Sequence, residues 1–204
     1  MAQPIDFYFD FTSPYGYLAS TRIEEVASRH GRSVNWHPIV LGFVFKVTGS
    51  VPLVSIPLKG EYATMDIERS ARQHNIPYRL PDNFPVGTVA AARTCLWLKS
   101  ADFGNDPETM ASMVHALYRA YFVDNIDISD TANVIAVAAA QGIDTDTLSS
   151  ALENTEVKGL LKTAVDAAVE KGIFGSPFIL VDGEPFWGHD RLKDVEQWLE
   201  TGGF

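Results

Sequence analysis

Apolar and aromatic residues crowd the run Ile5-Asp6-Phe7-Tyr8-Phe9-Asp10-Phe11 between turn formers, which predicts a first, largely buried β-strand. A helix follows at once. Ser13 stands where an N-cap belongs and Pro14 at the first helical position, after which Tyr17, Leu18, Ile23 and Val26 recur at roughly helical spacing until Gly31 ends the pattern. Residues Ser33 to Val40 then alternate as a second strand. The opening is β-α-β, the signature of a parallel strand pair joined by a helical crossover.

The middle changes period. Lys46 to Pro57 contains Gly, Pro and Ser and predicts a loop, and beyond it helical spacing recurs over Glu61 to His74, Val86 to Ser100, Pro107 to Phe122, Thr131 to Gln141 and Thr145 to Glu153. Pro77, Pro81, Pro85, Gly104 and Gly142 act as breakers between these segments, and Asp130 is a cap for the fourth. The pattern then returns to α/β. Val157 to Lys171 is an amphipathic helix closed by Gly172. Two short apolar runs, Pro177 to Val181 and Glu184 to Trp187, flank Asp182-Gly183, a strong hairpin signal. Asp190 is expected to cap a final helix running through Leu199. This order is that of an α/β, thioredoxin-like domain carrying an inserted all-helical domain, with residues 1–44 and 157–204 forming the first unit and 45–156 the second.

Composition narrows what such a chain can do. With 46% hydrophobic and 21% charged residues, 204 residues suffice for a packed core and argue against wholesale disorder. A net charge of -10 argues against a nucleic-acid partner, since phosphate binding needs clustered Lys and Arg. No apolar run approaches the ~18 residues of a membrane span, and the first residues lack a signal-peptide pattern, so the expectation is a cytoplasmic protein with no membrane partner. Cys95 is the only cysteine, so neither an internal disulfide nor dithiol exchange is available. It sits in the apolar helical stretch Ala90 to Leu98, where a thiol is most often a small core residue. His30, His37, His74 and His115 are scattered without ligand spacing, and no metal is expected.

Two local features point to chemistry. Ser13 lies on the strand-to-helix turn, where a thioredoxin-type domain places its reactive group; read locally, it is a plain helix cap. Gly175-Ser176-Pro177 immediately precedes the hairpin, where such a domain keeps a cis-proline opposite that turn. X-Pro bonds are cis in only about 5% of folded cases, so the isomer rests on this context of helix, Gly-x-x-Gly-x-Pro and hairpin.

Four segments carry a more specific resemblance: Phe7 to Tyr15, Gly49-Ser50-Val51-Pro52 with Pro57-Leu58-Lys59-Gly60, Gly172 to Pro177, and Phe186 to Leu192. In this order the whole chain resembles the DsbA-like branch of the thioredoxin superfamily, and within it the 2-hydroxychromene-2-carboxylate isomerases and kappa-class glutathione transferases. The resemblance implies a glutathione-dependent enzyme in which Ser13 replaces the redox cysteine. It holds the glutathione sulfur as thiolate, aided by the helix dipole, against an ordinary thiol pKa of about 8.5. It further implies that Ser176, beside Pro177, pairs strand fashion with the cysteinyl backbone, and that His189 and Asp190 meet the γ-glutamyl end. Ser50 stands where relatives often carry Asn. Lys59 matches a basic position able to hold a carboxylate, with Lys46 a weaker candidate, and Trp187 and Tyr17 are available to line the site beneath a helical roof. The implied reaction isomerises 2-hydroxychromene-2-carboxylate to trans-o-hydroxybenzylidenepyruvate, with a small aromatic carboxylate as substrate and a homodimer as the assembly. A kappa-like transferase, or a non-catalytic scaffold that binds a thiol or peptide, is the alternative.

Overall fold

A computed structural model describes residues 3–100 and 106–204; Gly104, expected as a breaker, lies outside them. The chain runs β1 (Ile5–Phe9), α1 (Pro14–Arg29), β2 (Val34–Pro38), α2 (Leu41–Thr48), α3 (Lys59–Gln73), α4 (Val89–Leu98), α5 (Pro107–Phe122), α6 (Thr131–Ala140), α7 (Thr145–Glu153), α8 (Thr155–Glu170), β3 (Phe178–Val181), β4 (Glu184–Trp187) and α9 (Leu192–Thr201). Short 3-10 turns occupy Leu53–Ser55 and His189–Arg191.

One mixed sheet holds the order β2-β1-β3-β4, with β1 parallel to β2 and β3 antiparallel to both β1 and β4. Phe7 sits opposite Trp36 on one side and Ile179 on the other, so the aromatic first strand is central. Alternation then divides its side chains between two cores. Ile5, Phe7 and Phe9 pack with α1, α4 and α5. Tyr8 faces the opposite way, among Ile39, Val44, Leu161, Val165 and Phe178. A buried central strand explains why the run reads as nearly continuous hydrophobicity.

Local chemistry sets most helix starts. Asp106, Asp130, Asp144 and Asn154 each accept a first-turn amide as N-cap of α5, α6, α7 and α8. Asn154 also ends α7, so the two helices follow one another with a single residue between them. Among the described residues, no helix is long and apolar enough to cross a membrane.

Two expectations need correction. The segment expected as a loop from Lys46 begins inside α2, which runs from Leu41 to Thr48 and ends at Gly49 in the left-handed conformation. Val40, its N-cap, supplies no side-chain bond; instead the Asp10 carboxylate accepts the Leu41 N–H at 2.7 Å. A contact across 31 residues starts this helix, and no local pattern encodes it. Asp190, expected to cap the last helix, does not do so. It lies within the 3-10 turn, and α9 starts at Leu192 with no side-chain cap bond. The carboxylate folds back over Gly188, where an added Cβ would stand 2.5 Å from its Oδ1, and it approaches Arg191 at 3.7 Å.

Candidate functional site

Ser13 closes the turn between β1 and α1, and its side chain works in two directions. Its Oγ accepts the Gly16 N–H at 3.0 Å, the expected capping bond. The same hydroxyl donates to the Ser176 carbonyl at 2.9 Å, across the peptide bond that precedes Pro177. Ser176–Pro177 is cis, as its context predicts, and Phe84–Pro85 is cis as well. Ser176 returns the contact through its Oγ, which accepts the Asp10 N–H at 3.0 Å. The turn and the proline segment, more than 160 residues apart, are thus stitched together by two hydrogen bonds.

Gly16 makes the approach possible. A Cβ there would lie 2.5 Å from the Tyr118 hydroxyl and 2.8 Å from Ser176 Oγ. Tyr118 is wholly buried and donates to the Asp10 carbonyl at 3.1 Å, so α5 braces the same turn from below. Its phenol is pushed far above the ordinary range by burial and remains neutral.

Asp10 is the polar anchor of the site, and sequence reasoning assigned it nothing. It is 1% exposed, and its carboxylate accepts from Thr12 N–H at 3.1 Å, Leu41 N–H at 2.7 Å and the Thr88 hydroxyl at 2.5 Å. Those three donors belong to the Ser13 turn, the start of α2 and the start of α4. Burial pushes the carboxyl above its usual range, while the Thr88, Leu41 and Thr12 bonds oppose that shift. The available signal was an acidic residue between Phe9 and Phe11 at the end of a buried strand, a place where a charge must find partners.

These elements border a cleft of about 1530 Å3. Of the expected site residues, Ser13, Ser50, Ser176, Pro177, His189 and Asp190 line it, together with Trp187. His189 is 9% exposed, stacks on Tyr15 with ring centroids 5.1 Å apart, and has no hydrogen-bond partner at its buried Nδ1. Burial holds its imidazole below the ordinary pKa, hence neutral near pH 7. Tyr15 in turn donates to Asp66 at 3.0 Å on the cleft wall formed by α3.

Three expected positions fall differently. Lys59 is exposed at the first turn of α3 and lies outside the cleft wall, because the backbone turn at Leu58 carries it to the surface. Lys46 on α2 lines the cleft instead, its ammonium 5.3 Å from the Phe43 ring centroid. Tyr17 is core: buried, bonded to the Pro77 carbonyl at 2.6 Å and stacked on Phe122. It projects from α1 away from the cleft. Cys95 is fully buried in α4, and burial pushes its thiol well above the ordinary range, so it is no nucleophile.

A hydroxyl at a helix N-terminus, set against a cis-proline edge in a cleft with apolar walls, can accept an extended thiol and favour its anion. Known proteins bear on the same geometry. The chain is 28% identical over 98% of its length to a 2-hydroxychromene-2-carboxylate isomerase of Sphingobium xenophagum, covering 99% of that protein. It is 24% identical to human glutathione S-transferase kappa 1, covering 98% of this chain and 94% of the relative. A solved 2-hydroxychromene-2-carboxylate isomerase superposes with a TM-score of 0.85 at 24% identity, over 96% of this chain and 94% of the other. Cytosolic disulfide reductase DsbM of Pseudomonas aeruginosa, solved with GSH, shares the fold at a TM-score of 0.66 and 15% identity, covering 98% of each chain. The family model for the DSBA-like thioredoxin domain matches residues 4–200, and the chain belongs to that family.

Proposed function

We propose that this protein is a glutathione-dependent isomerase acting on 2-hydroxychromene-2-carboxylate, converting it to trans-o-hydroxybenzylidenepyruvate. The observation that carries the reading is the bond from Ser13 Oγ to the Ser176 carbonyl at the mouth of α1, in a chain whose sole cysteine is buried elsewhere. Relatives bearing the isomerase name align along almost the whole chain.

The residues fit a bound peptide thiol. Ser176 presents a carbonyl beside a cis-proline, Gly16 lets Ser176 and Tyr118 close on the Ser13 turn, and His189 keeps a buried nitrogen without a partner among the described residues. Glutathione, when bound, supplies the nucleophilic thiolate that adds reversibly to the conjugated, ring-opened substrate and lets the former double bond rotate.

The chain's own task is to prepare that sulfur. Ser13 has one proton to donate, and the Ser176 carbonyl holds it. A peptide N–H arriving at that carbonyl replaces the Ser13 hydroxyl as donor. The freed hydroxyl turns toward the sulfur while still accepting from Gly16. Pairing of the peptide backbone and stabilisation of the thiolate thereby become one event. The dipole of α1 adds to the second effect, and each pKa unit of thiol lowering corresponds to about 1.4 kcal/mol. Lys46, rather than Lys59, stands where a substrate carboxylate would meet a cation, and Trp187 with Phe174 supplies an aromatic wall. We assign the protein to the cytoplasm as a homodimer on the same reading.

The test is an ultraviolet assay with 2-hydroxychromene-2-carboxylate and substoichiometric glutathione. Full conversion to the trans product with glutathione regenerated is expected. Conversion limited to one equivalent, with the thiol retained as an adduct, would identify a kappa-like transferase instead.

A further inference from the structure

Seven of the nine arginines are ion-paired with carboxylates: Arg29, Arg32, Arg69, Arg72, Arg79, Arg119 and Arg191. Arg22 and Arg93 have no such partner among the described residues, and of these two only Arg22 lines the cleft that holds Ser13. In a protein with a net charge of -10, an Arg left without a carboxylate on the wall of the main cleft is conspicuous.

Its surroundings are those of an anion site. Arg22 Nη1 donates to His74 Nε2 at 3.3 Å; a guanidinium only donates, so that ring nitrogen is an acceptor and the bond fixes the guanidinium without neutralising it. Four of its five N–H donors have no acceptor among the described residues. Lys193, at the start of α9, lines the same wall. Arg22 and Lys193 both disfavour protonation of His74, with burial the larger cause, so the three groups share one field. The carboxylates whose charge Arg22 feels, Glu25 and Glu196, are both ion-paired with Arg29, and those along the cleft wall have other neighbours. Asp66 is held by Arg69 and Tyr15, and Asp190 is exposed beside Arg191.

Distance agrees with a particular occupant. Arg22 is nine residues along α1 from Ser13, about 13 Å of helix axis. Helical side chains lean toward the N-terminus, which brings a long Arg back toward the Ser13 turn. A γ-glutamyl arm reaching from a cysteinyl unit covers about two residue lengths, roughly 7 Å. The arm ends in one ammonium and one carboxylate, and the wall offers the Asp190 carboxylate, 3.7 Å from Arg191, and the Arg22 guanidinium, which has no ion pair among the described residues.

We propose that Arg22, oriented by His74 and reinforced by Lys193, is a carboxylate-recognition subsite that selects thiols carrying an acidic arm beyond the cysteinyl unit, the α-carboxylate of a γ-glutamyl group in particular. The inference rests on the glutathione reading above. Arg22 is a specificity residue here and takes no part in the chemistry at sulfur.

Binding of glutathione and of cysteinylglycine, which lacks the γ-glutamyl arm, is measured by calorimetry on the intact wild-type chain, Arg22→Gln and Arg22→Lys. Arg22→Gln is expected to weaken glutathione about ten- to hundredfold while changing cysteinylglycine by less than about twofold, and Arg22→Lys to recover part of the loss. Equal weakening of both thiols, or no weakening of either, overturns the subsite while leaving the glutathione reading intact. If the wild-type chain binds neither thiol, both are overturned together.

Discussion

Ser13 Oγ stands 2.9 Å from the Ser176 carbonyl and donates to it, so the residue we propose as thiol activator is bonded to the very group that a peptide thiol would seek on that reading. On the glutathione reading, the ligand amide competes with Ser13 for the Ser176 carbonyl, and the sulfur competes with that carbonyl for the Ser13 proton, so pairing of the amide favours activation of the thiol. A small thiol without a backbone amide brings no donor to replace Ser13 at that carbonyl, and on this reading is expected to gain less from Ser13 than glutathione does.

Replacing Ser13 by Ala removes the donor and the helix cap together. The thiol pKa of bound glutathione is expected to rise by about one unit, with turnover near neutral pH falling about tenfold or more. Loss of the cap costs about 1 kcal/mol, a Tm decrease of about 2–4 °C for a chain of this size. Ultraviolet titration of the thiolate in the enzyme complex, alongside a thermal melt, separates the two effects; an unshifted titration removes Ser13 from the mechanism.

Gly16→Ala should damage both site and stability, because its new Cβ meets the Tyr118 hydroxyl at 2.5 Å and Ser176 Oγ at 2.8 Å. A loss of about 1–3 kcal/mol is expected, typical of overpacking. Gly159→Ala is the contrast. It lies in α8 with nothing within 4 Å of the added carbon, so a gain of about 0.5–1 kcal/mol from helix propensity is expected. Urea denaturation of both variants measures the difference, and equal effects would contradict the packing described around Gly16.

Asp10→Ala leaves the Leu41 and Thr12 amides and the Thr88 hydroxyl without their acceptor. Stranded buried donors cost about 1–3 kcal/mol each, partly relieved by entering water. Since the three donors sit on three walls of the cleft, glutathione binding is expected to weaken along with stability. Hydrogen exchange should rise at Leu41 and at the start of α4; protection unchanged there would mean that Asp10 does not hold the walls.

His37, His74 and His189 are each held below the ordinary imidazole pKa, in every case chiefly by burial. Below about pH 6.5 the unfolded chain therefore binds more protons at these sites than the folded chain does. Their neutral forms favour the fold above that pH, and this contribution is lost as pH falls through 6.5 toward the depressed folded values. Melting temperature is expected to fall on mild acidification, and His189→Gln, with its buried unpaired Nδ1 gone, to fall less steeply. A Tm profile from pH 7.5 to 5 for both proteins is the check, and parallel curves would count against His189.

Much of this protein was legible in the chain itself. Buried strands, capped helices and a Gly-bearing hairpin are written in local chemistry, because period, caps and turn residues act over a few positions. That is why β1, α1, α5 to α8 and the β3–β4 hairpin stand near where their patterns put them. Ser13 and Pro177 were legible for the same reason, each marking the edge of an element. Tertiary structure decided what depends on distant partners: that Leu41 begins a helix because Asp10 takes its amide, that Lys46 and not Lys59 lines the cleft, that Tyr17 turns into the core, and that Asp190 lies in a 3-10 turn rather than capping α9. Each of these is a choice between directions in space, set by packing against residues tens of positions away, and a linear pattern of hydrophobicity carries no term for it.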